Sequence, residues 1–189
     1  NSLKKVGDYA FDGCTKLTSV TIPKGLTDIG YCAFRFNQMN AISVDPANPA
    51  YDSRNNCNAL IETATNTLLA GCKNTIIPNT VTAIGDGAFS YNPFTTISIP
   101  KSVTSIGLSA FASCTNLKSI MIPASVQKLD NAVFYHCYNL LALSVPEGIT
   151  VIPESFCYEC TAMETMILPS TTKEVWAEIE IGRAVQQEC

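Results

Sequence analysis

The sequence predicts an α/β solenoid, built on a parallel sheet of about seven short strands and carrying one hairpin insertion. A nine-residue motif recurs along the chain, and a β-branched stretch, usually closed by proline, follows each copy. One interval between copies is anomalously long. Self-similarity at a fixed period of 20–50 residues marks stacked-repeat architecture, in which no unit can bury its apolar side alone.

The motif begins as Val6-Gly7-Asp8-Tyr9-Ala10-Phe11-Asp12-Gly13-Cys14 and returns at Ile29, Ile84 and Ile106, with looser copies from Leu129 and Ile152. The following stretches are Val20-Thr21-Ile22-Pro23, Ile42-Ser43-Val44, Ile97-Ser98-Ile99-Pro100, Ile120-Met121-Ile122-Pro123, Leu143-Ser144-Val145-Pro146 and Met166-Ile167-Leu168-Pro169, with Ile76-Ile77-Pro78 standing alone. Seven strands separated by 22 or 23 residues follow from this, except that the step from Val44 to Ile77 spans 33. Alternating β-branched residues suit a half-buried parallel strand, and proline ends it because it has no N–H for the ladder. Phe11, Phe34, Phe89, Phe111 and Phe134 are expected to stack on the opposite wall, and the motif glycine to allow the corner between walls.

The motif resembles the BspA-like class of bacterial leucine-rich repeats, with its I-G-x-x-A-F-x-x-C-x-x-L-x-x-I-x-I-P-x-x-V hallmark, over roughly Val6 to Pro169. That resemblance implies a right-handed solenoid on a secreted or surface-anchored protein associated with adhesion. Ile152-Pro153-Glu154-Ser155-Phe156-Cys157 departs from it, with proline for glycine and Phe156 one position early. The solenoid is thus expected over residues 1–169 and a C-terminal cap or frayed tail over 170–189, where Thr171-x-x-Glu174 fits a capping box and Val175 and Ile179 share a helical face.

The long coil, about residues 45–77, opens with turn chemistry in Asp45-Pro46-Ala47-Asn48-Pro49. Asn58–Glu62 and Thr67–Gly71 then read as a hairpin protruding from the solenoid or folded along it. The same family often places such a hairpin after N-P-x-Y, here Asn48-Pro49-Ala50-Tyr51. If the turn centres on Ala64-Thr65, Cys57 and Cys72 face each other and are candidates for a disulfide.

The remaining cysteines sort into the repeat. Cys14, Cys114, Cys137 and Cys160 share a slot that Asn37 and Asn92 fill in other coils, which reads as structural. Cys157-x-x-Cys160 imitates half a zinc or redox site, but zinc needs a second pair. His136 is the only histidine, and no paired acid and base, nucleophile elbow or phosphate loop accompanies it. No enzyme activity, cofactor or metal is expected. The oxygen-bearing run Asp45, Asn48, Asp52, Asn55, Asn56 and Asn58 matches no calcium loop and reads as turns.

A net charge of −4 argues against nucleic acid, which needs a basic footprint. No apolar run reaches the roughly 18 residues that a membrane span requires. Expected partners are therefore a protein or other macromolecule on a host or neighbouring cell surface. The candidate contact surface is the outward strand face: Ser19, Thr21, Ser43, Thr96, Ser98, Ser119, Met121, Ser144, Thr165 and Ile167, with Ala41 and Ala142 completing its rows. It lacks the Trp, Tyr and Arg of typical hot spots. Tyr31, Tyr51, Tyr91, Tyr135, Tyr138 and Tyr158 fall on the opposite wall and the long coil, so contact there is the alternative. Repeats that only space apart other domains are the second functional reading.

Overall fold

The computed structural model describes residues 2–170, and these wind into a β-solenoid of about seven turns. The strands are β1 (Lys5–Val6), β2 (Ser19–Ile22), β3 (Asp28–Ile29), β4 (Ala41–Val44) and β5 (Tyr51–Asp52), then β6 (Ala59–Glu62) and β7 (Thr67–Gly71). They continue with β8 (Ala83–Ile84), β9 (Thr96–Ser98), β10 (Ser105–Ile106), β11 (Ser119–Met121), β12 (Lys128–Leu129), β13 (Ala142–Ser144) and β14 (Thr165–Ile167). The α/β expectation is corrected: among the described residues the only helical turn is a 3-10 turn at Arg54–Asn56. Coils of 22 or 23 residues spend their length on two strands and tight turns. The predicted capping box and tail helix lie outside the described residues.

The main strand wall is parallel, as expected, but it is two sheets rather than one. β2 pairs with β4, and β9, β11, β13 and β14 form a separate four-stranded sheet. The predicted strand at Ile76-Ile77 does not form. Its backbone is committed elsewhere: the Ile76 N–H donates to Cys57 O at 3.1 Å, and Thr75 N to Cys72 O at 3.1 Å.

The insertion is a hairpin folded into the solenoid. β5, β6 and β7 run antiparallel, and β7 then pairs in parallel with β8, giving a six-stranded sheet β12-β10-β8-β7-β6-β5. The hairpin stands between two cores. Leu60 and Ala70 join the cluster of Val6, Ile22, Leu26, Phe34 and Met39, whereas Ala59, Ile61 and Leu68 join that of Ile84, Phe89, Phe111 and Phe134. Alternating side chains of a strand point to opposite faces, so a strand covered on both faces is apolar throughout.

Asn48 anchors the entry to this coil. Its amide donates to Pro23 O and Leu26 O, both at 2.8 Å, and its Oδ1 accepts the N–H groups of Ala50 and Tyr51 at 2.9 Å. The Tyr51 hydroxyl then accepts the Ile29 N–H at 2.9 Å, closing the edge of the β1–β3 ladder. These bonds give the N-P-x-Y segment its physical role.

The phenylalanine column forms in two blocks. Phe11 and Phe34 stack at 5.3 Å, and Phe89, Phe111 and Phe134 stack at 5.3 and 5.7 Å. Between the blocks stands Gly71, whose position leaves no room for a Cβ beside the Phe89 ring.

Candidate binding surface

The structure turns the strand-face residues read from the alternation outward. Ser19, Thr21, Ser43, Thr96, Ser98, Ser119, Met121, Ser144, Thr165 and Ile167 are all exposed. They lie in rows, Thr96↔Ser119↔Ala142↔Thr165 and Ser98↔Met121↔Ser144↔Ile167, with Ser19↔Ala41 and Thr21↔Ser43 in the smaller sheet. Thr21 and Ser43 hydrogen-bond each other at 3.0 Å, so part of this face satisfies itself. Met121 (79% exposed) and Ile167 (59%) are its apolar points. The missing strand at Ile76-Ile77 splits the face and leaves a cleft of about 300 Å³ lined by Ile76, Ile77, Phe94 and Ile97.

The candidate disulfide is corrected. Near the turn the register is as expected, Glu62↔Thr67 and Ile61↔Leu68, but it then shifts, pairing Leu60 with Ala70 and Ala59 with Gly71. The extra residue, Leu69, is a β-bulge. It carries Cys72 past Cys57, and the Cys72 thiol donates to Asn58 O at 3.3 Å. Cys57 instead meets the Ser53 hydroxyl at 3.8 Å, and both are free thiols.

The repeat cysteine slot has a clear role. Each thiol donates to the carbonyl of a phenylalanine one coil earlier: Cys114 to Phe89 O at 3.1 Å, Cys137 to Phe111 O and Cys160 to Phe134 O at 3.2 Å. Asn37 does the same, its amide reaching Phe11 O at 3.0 Å. The slot therefore selects a small donor. Asparagine leaves its own Oδ1 buried without a partner at both Asn37 and Asn92, a cost that cysteine avoids.

The turn wall holds what the strand face lacks. In each coil that carries the motif, backbone kinks with positive φ stand two residues before and two after the phenylalanine position, as at Tyr9 and Gly13, Cys32 and Phe36, Gly87 and Tyr91, and Ala132 and His136. Such conformations cost non-glycine residues roughly 1 kcal/mol or more. They are held by ladder bonds between coils, such as Phe11 N to Ala33 O at 2.8 Å and Phe111 N to Val133 O at 3.0 Å.

On this wall the third coil is bypassed. The second and fourth coils, 55 residues apart in sequence, meet directly. Phe36 and Tyr91 make an edge contact at 4.8 Å, Cys32 donates to Asp86 O at 3.5 Å, and the Arg35 stem packs on Gly87, which has φ +61°. The Arg35 guanidinium lies 4.2 Å from the Phe36 ring and 5.2 Å from that of Tyr9, and Asp12 grips it through two bonds of 3.2 and 3.0 Å. Tyr9 and Tyr31 meet edge to face at 5.6 Å. Burial and the nearby Asp86 push the Tyr31 hydroxyl pKa up. Beside this junction opens a cleft of about 460 Å³, lined by Tyr31, Glu62, Asp86, Lys128 and Asp130 among others.

A second aromatic group lies two coils on. Tyr135 stacks on Tyr158 at 5.2 Å, and the His136 ring lies 3.8 Å from Tyr135 and 5.2 Å from Tyr138. His136 Nε2 is 3.1 Å from the Glu159 carboxylate. Between the two groups the equivalent positions are Ala112 and Ser113, small and buried. Sequence reading put the tyrosines on this wall, but missed Arg35 and Phe36 because their partners sit across the insertion.

Among the described residues no group of three or more His, Cys, Asp or Glu is placed to hold a metal, and no helix is long and apolar enough to cross a membrane. A family model for the BspA type leucine rich repeat region matches residues 1–69 and 61–179, in six copies. No curated protein matches the sequence. Among solved structures, the pneumococcal vaccine antigen PcpA is similar at TM-score 0.82 and 18% identity, covering 90% of this chain and 44% of that one, a likeness of fold alone. A leucine rich cell surface protein from Faecalibacterium prausnitzii is similar at TM-score 0.66 and 27% identity, covering 87% and 51%. A leucine-rich repeat protein from Bacteroides ovatus is similar at TM-score 0.58 and 26% identity, covering 89% and 42%. The chain thus spans about half the length of these proteins, or less.

Proposed function

Because the chain belongs to the BspA-type leucine-rich repeat family, we propose that it is a non-catalytic binding module of a secreted or cell-surface bacterial protein, engaging a protein on a host or neighbouring cell. The family and the cell-surface protein among its structural neighbours support that location. The reading keeps a right-handed winding, the hand that parallel strand–crossover–strand connections favour. The contact surface is the aromatic turn wall rather than the strand face.

One observation carries this choice: Tyr9, Tyr31, Arg35, Phe36 and Tyr91 converge across the insertion. Tyrosine and arginine dominate binding hot spots because they offer large amphipathic area at small entropic cost. Hydroxyl rows that bond one another, as Thr21 does Ser43, do not. That blandness supports the second reading, a spacer whose repeats present another domain.

The test immobilises the full chain and captures extracellular-matrix proteins and bacterial surface proteins, followed by titration of whatever binds. Tyr91→Ala is expected to weaken binding about thirty-fold, the factor for a hot spot of ~2 kcal/mol. Met121→Lys on the strand face should leave affinity within threefold. The reverse pattern would move the site to the strand face. A folded chain that retains nothing would favour the spacer.

A further inference from the structure

The last described coil breaks the repeat in one telling way. Left-handed residues Ser155 (φ 53°) and Glu159 (φ 55°) flank Cys157 as Ala132 (φ 57°) and His136 (φ 59°) flank Phe134. The Phe134 N–H donates to Phe156 O at 2.8 Å, as Phe111 N–H does to Val133 O. Cys157 therefore occupies the phenylalanine column and Phe156 the small-residue column before it. The stacking ends here: Phe134 meets Phe156 at an interplanar angle of 76°, whereas the ring pairs before it lie at 3° and 14°.

A thiol in place of a stacked ring forfeits apolar contact, yet it brings a second sulfur beside the slot cysteine. Cys157 and Cys160 lie three residues apart in one turn, closed by the Cys160 N–H donating to Cys157 O at 3.2 Å. The ends of such a turn lie within about 7 Å, overlapping the Cα separation that disulfides adopt. Both side chains are buried in the same core, and in the structure both are free thiols. Cys160 keeps the same slot bond as Cys114 and Cys137, its thiol donating to Phe134 O at 3.2 Å, so Cys157 is the sulfur that the regular coils lack.

We propose that Cys157 and Cys160 form a disulfide that replaces the missing phenylalanine as the clasp of this coil. The Cys157 thiol's hydrogen bond holds the Cys160 thiol pKa below its usual value, while Cys157 itself is pushed up, so Cys160 is the attacking sulfur. Its thiolate attacks a low-molecular-weight disulfide and expels one thiolate. Cys157 then loses its proton and attacks the Cys160 sulfur of the mixed disulfide, forming the Cys157–Cys160 bond and expelling the second thiolate. Two protein thiols are oxidised and one disulfide is reduced to two thiols. With both residues at 6% exposure or less, exchange takes place as the coil closes or opens. Glu159 stands between the two cysteines in the chain and pairs with His136, so the clasp also steadies the second aromatic group.

The chain is refolded in a glutathione redox buffer, free thiols are blocked with iodoacetamide, and the protein is cut after glutamate. Cleavage after Glu159 falls between the two cysteines, so residues 155–159 and 160–164 are expected to run as one disulfide-joined species that reduction separates. The melting temperature of the wild-type chain should fall on reduction, and that of Cys157→Ser should not change. Complete alkylation of both thiols, or a link from Cys160 to Cys137, would overturn the proposal. The peptide map is read on the wild-type chain, so it decides even if the variant fails to fold.

Discussion

The regular coils from Ala83 onward and the interrupted coil around Asn48–Ile77 reach the same end by opposite means. In the regular coils core residues have their counterparts one repeat away: Phe89 stacks on Phe111 and Phe111 on Phe134, Ile106 pairs with Ile84 and Leu129, and each slot cysteine bonds the carbonyl below. In the interrupted coil the motif is gone, yet Leu60, Ile61 and Leu68 are as buried as any residue in the molecule. The hairpin replaces one wall with a strand pair buried on both faces and leaves the turn wall to its neighbours. Repetition is thus one way to keep a solenoid core continuous, and the bypass it permits is what joins Phe36 to Tyr91.

The largest expected effect tests the regular stack. Phe111→Ala removes a ring packed on both sides and is expected to cost about 3–5 kcal/mol in urea unfolding. Phe11→Ala, where the ring is 39% exposed and stacked on one neighbour, should cost less than half of that. Equal losses would deny that stacking neighbours carry the stability.

Gly71→Ala probes the junction. A Cβ there meets the Phe89 ring, so overpacking of about 1–3 kcal/mol is expected, whereas Gly7→Ala points a methyl into open space. A neutral Gly71→Ala would mean that the hairpin slides freely along the stack.

A third expectation is alkaline. Burial pushes up the thiols of Cys114 and Cys137, which stay protonated when folded but ionise near pH 8.5 when unfolded. Their contribution is fully present below about pH 8.5 and is lost as pH rises, at up to about 1.4 kcal/mol per pH unit for each thiol. Cys137→Asn should flatten that slope in a pH series of unfolding curves. An unchanged slope would place the alkaline sensitivity elsewhere.

The smallest effect concerns the kinks. Ala132 has φ +57°, so Ala132→Gly is expected to stabilise the chain by up to about 1 kcal/mol, net of the extra freedom that glycine has when unfolded. A loss of stability would show that the Ala132 methyl contributes more through packing than its backbone conformation costs.

Most of the solenoid was legible because its rules are local and repeated. Alternation placed Thr96, Ser119 and Thr165 outward and Ile120 and Leu143 inward, and the slot shared by Cys137 and Asn37 pointed to one structural role. The hairpin was legible as two apolar stretches around Thr63–Asn66. Its bulge at Leu69 was not, because one extra residue is invisible in a pattern of apolar positions, and it separates Cys57 from Cys72. The strand at Ile76-Ile77 looked sound by composition, but a strand exists only if its neighbours offer partners. The Ile76 N–H had already gone to Cys57, and that of Thr75 just before it to Cys72. Arg35 and Phe36 carried no signal of their own.

By itself the sequence determined the repeat, its seven stations, the interrupted coil and the residues that face out from each strand. These follow from period, β-branching and turn chemistry, which act over a few residues. Tertiary structure alone decided that the strand face is split, that the hairpin is shared between two cores, and that coils 55 residues apart meet on the aromatic wall. Those outcomes depend on which of several possible hydrogen-bond and packing partners a segment finds, a competition that no local pattern records.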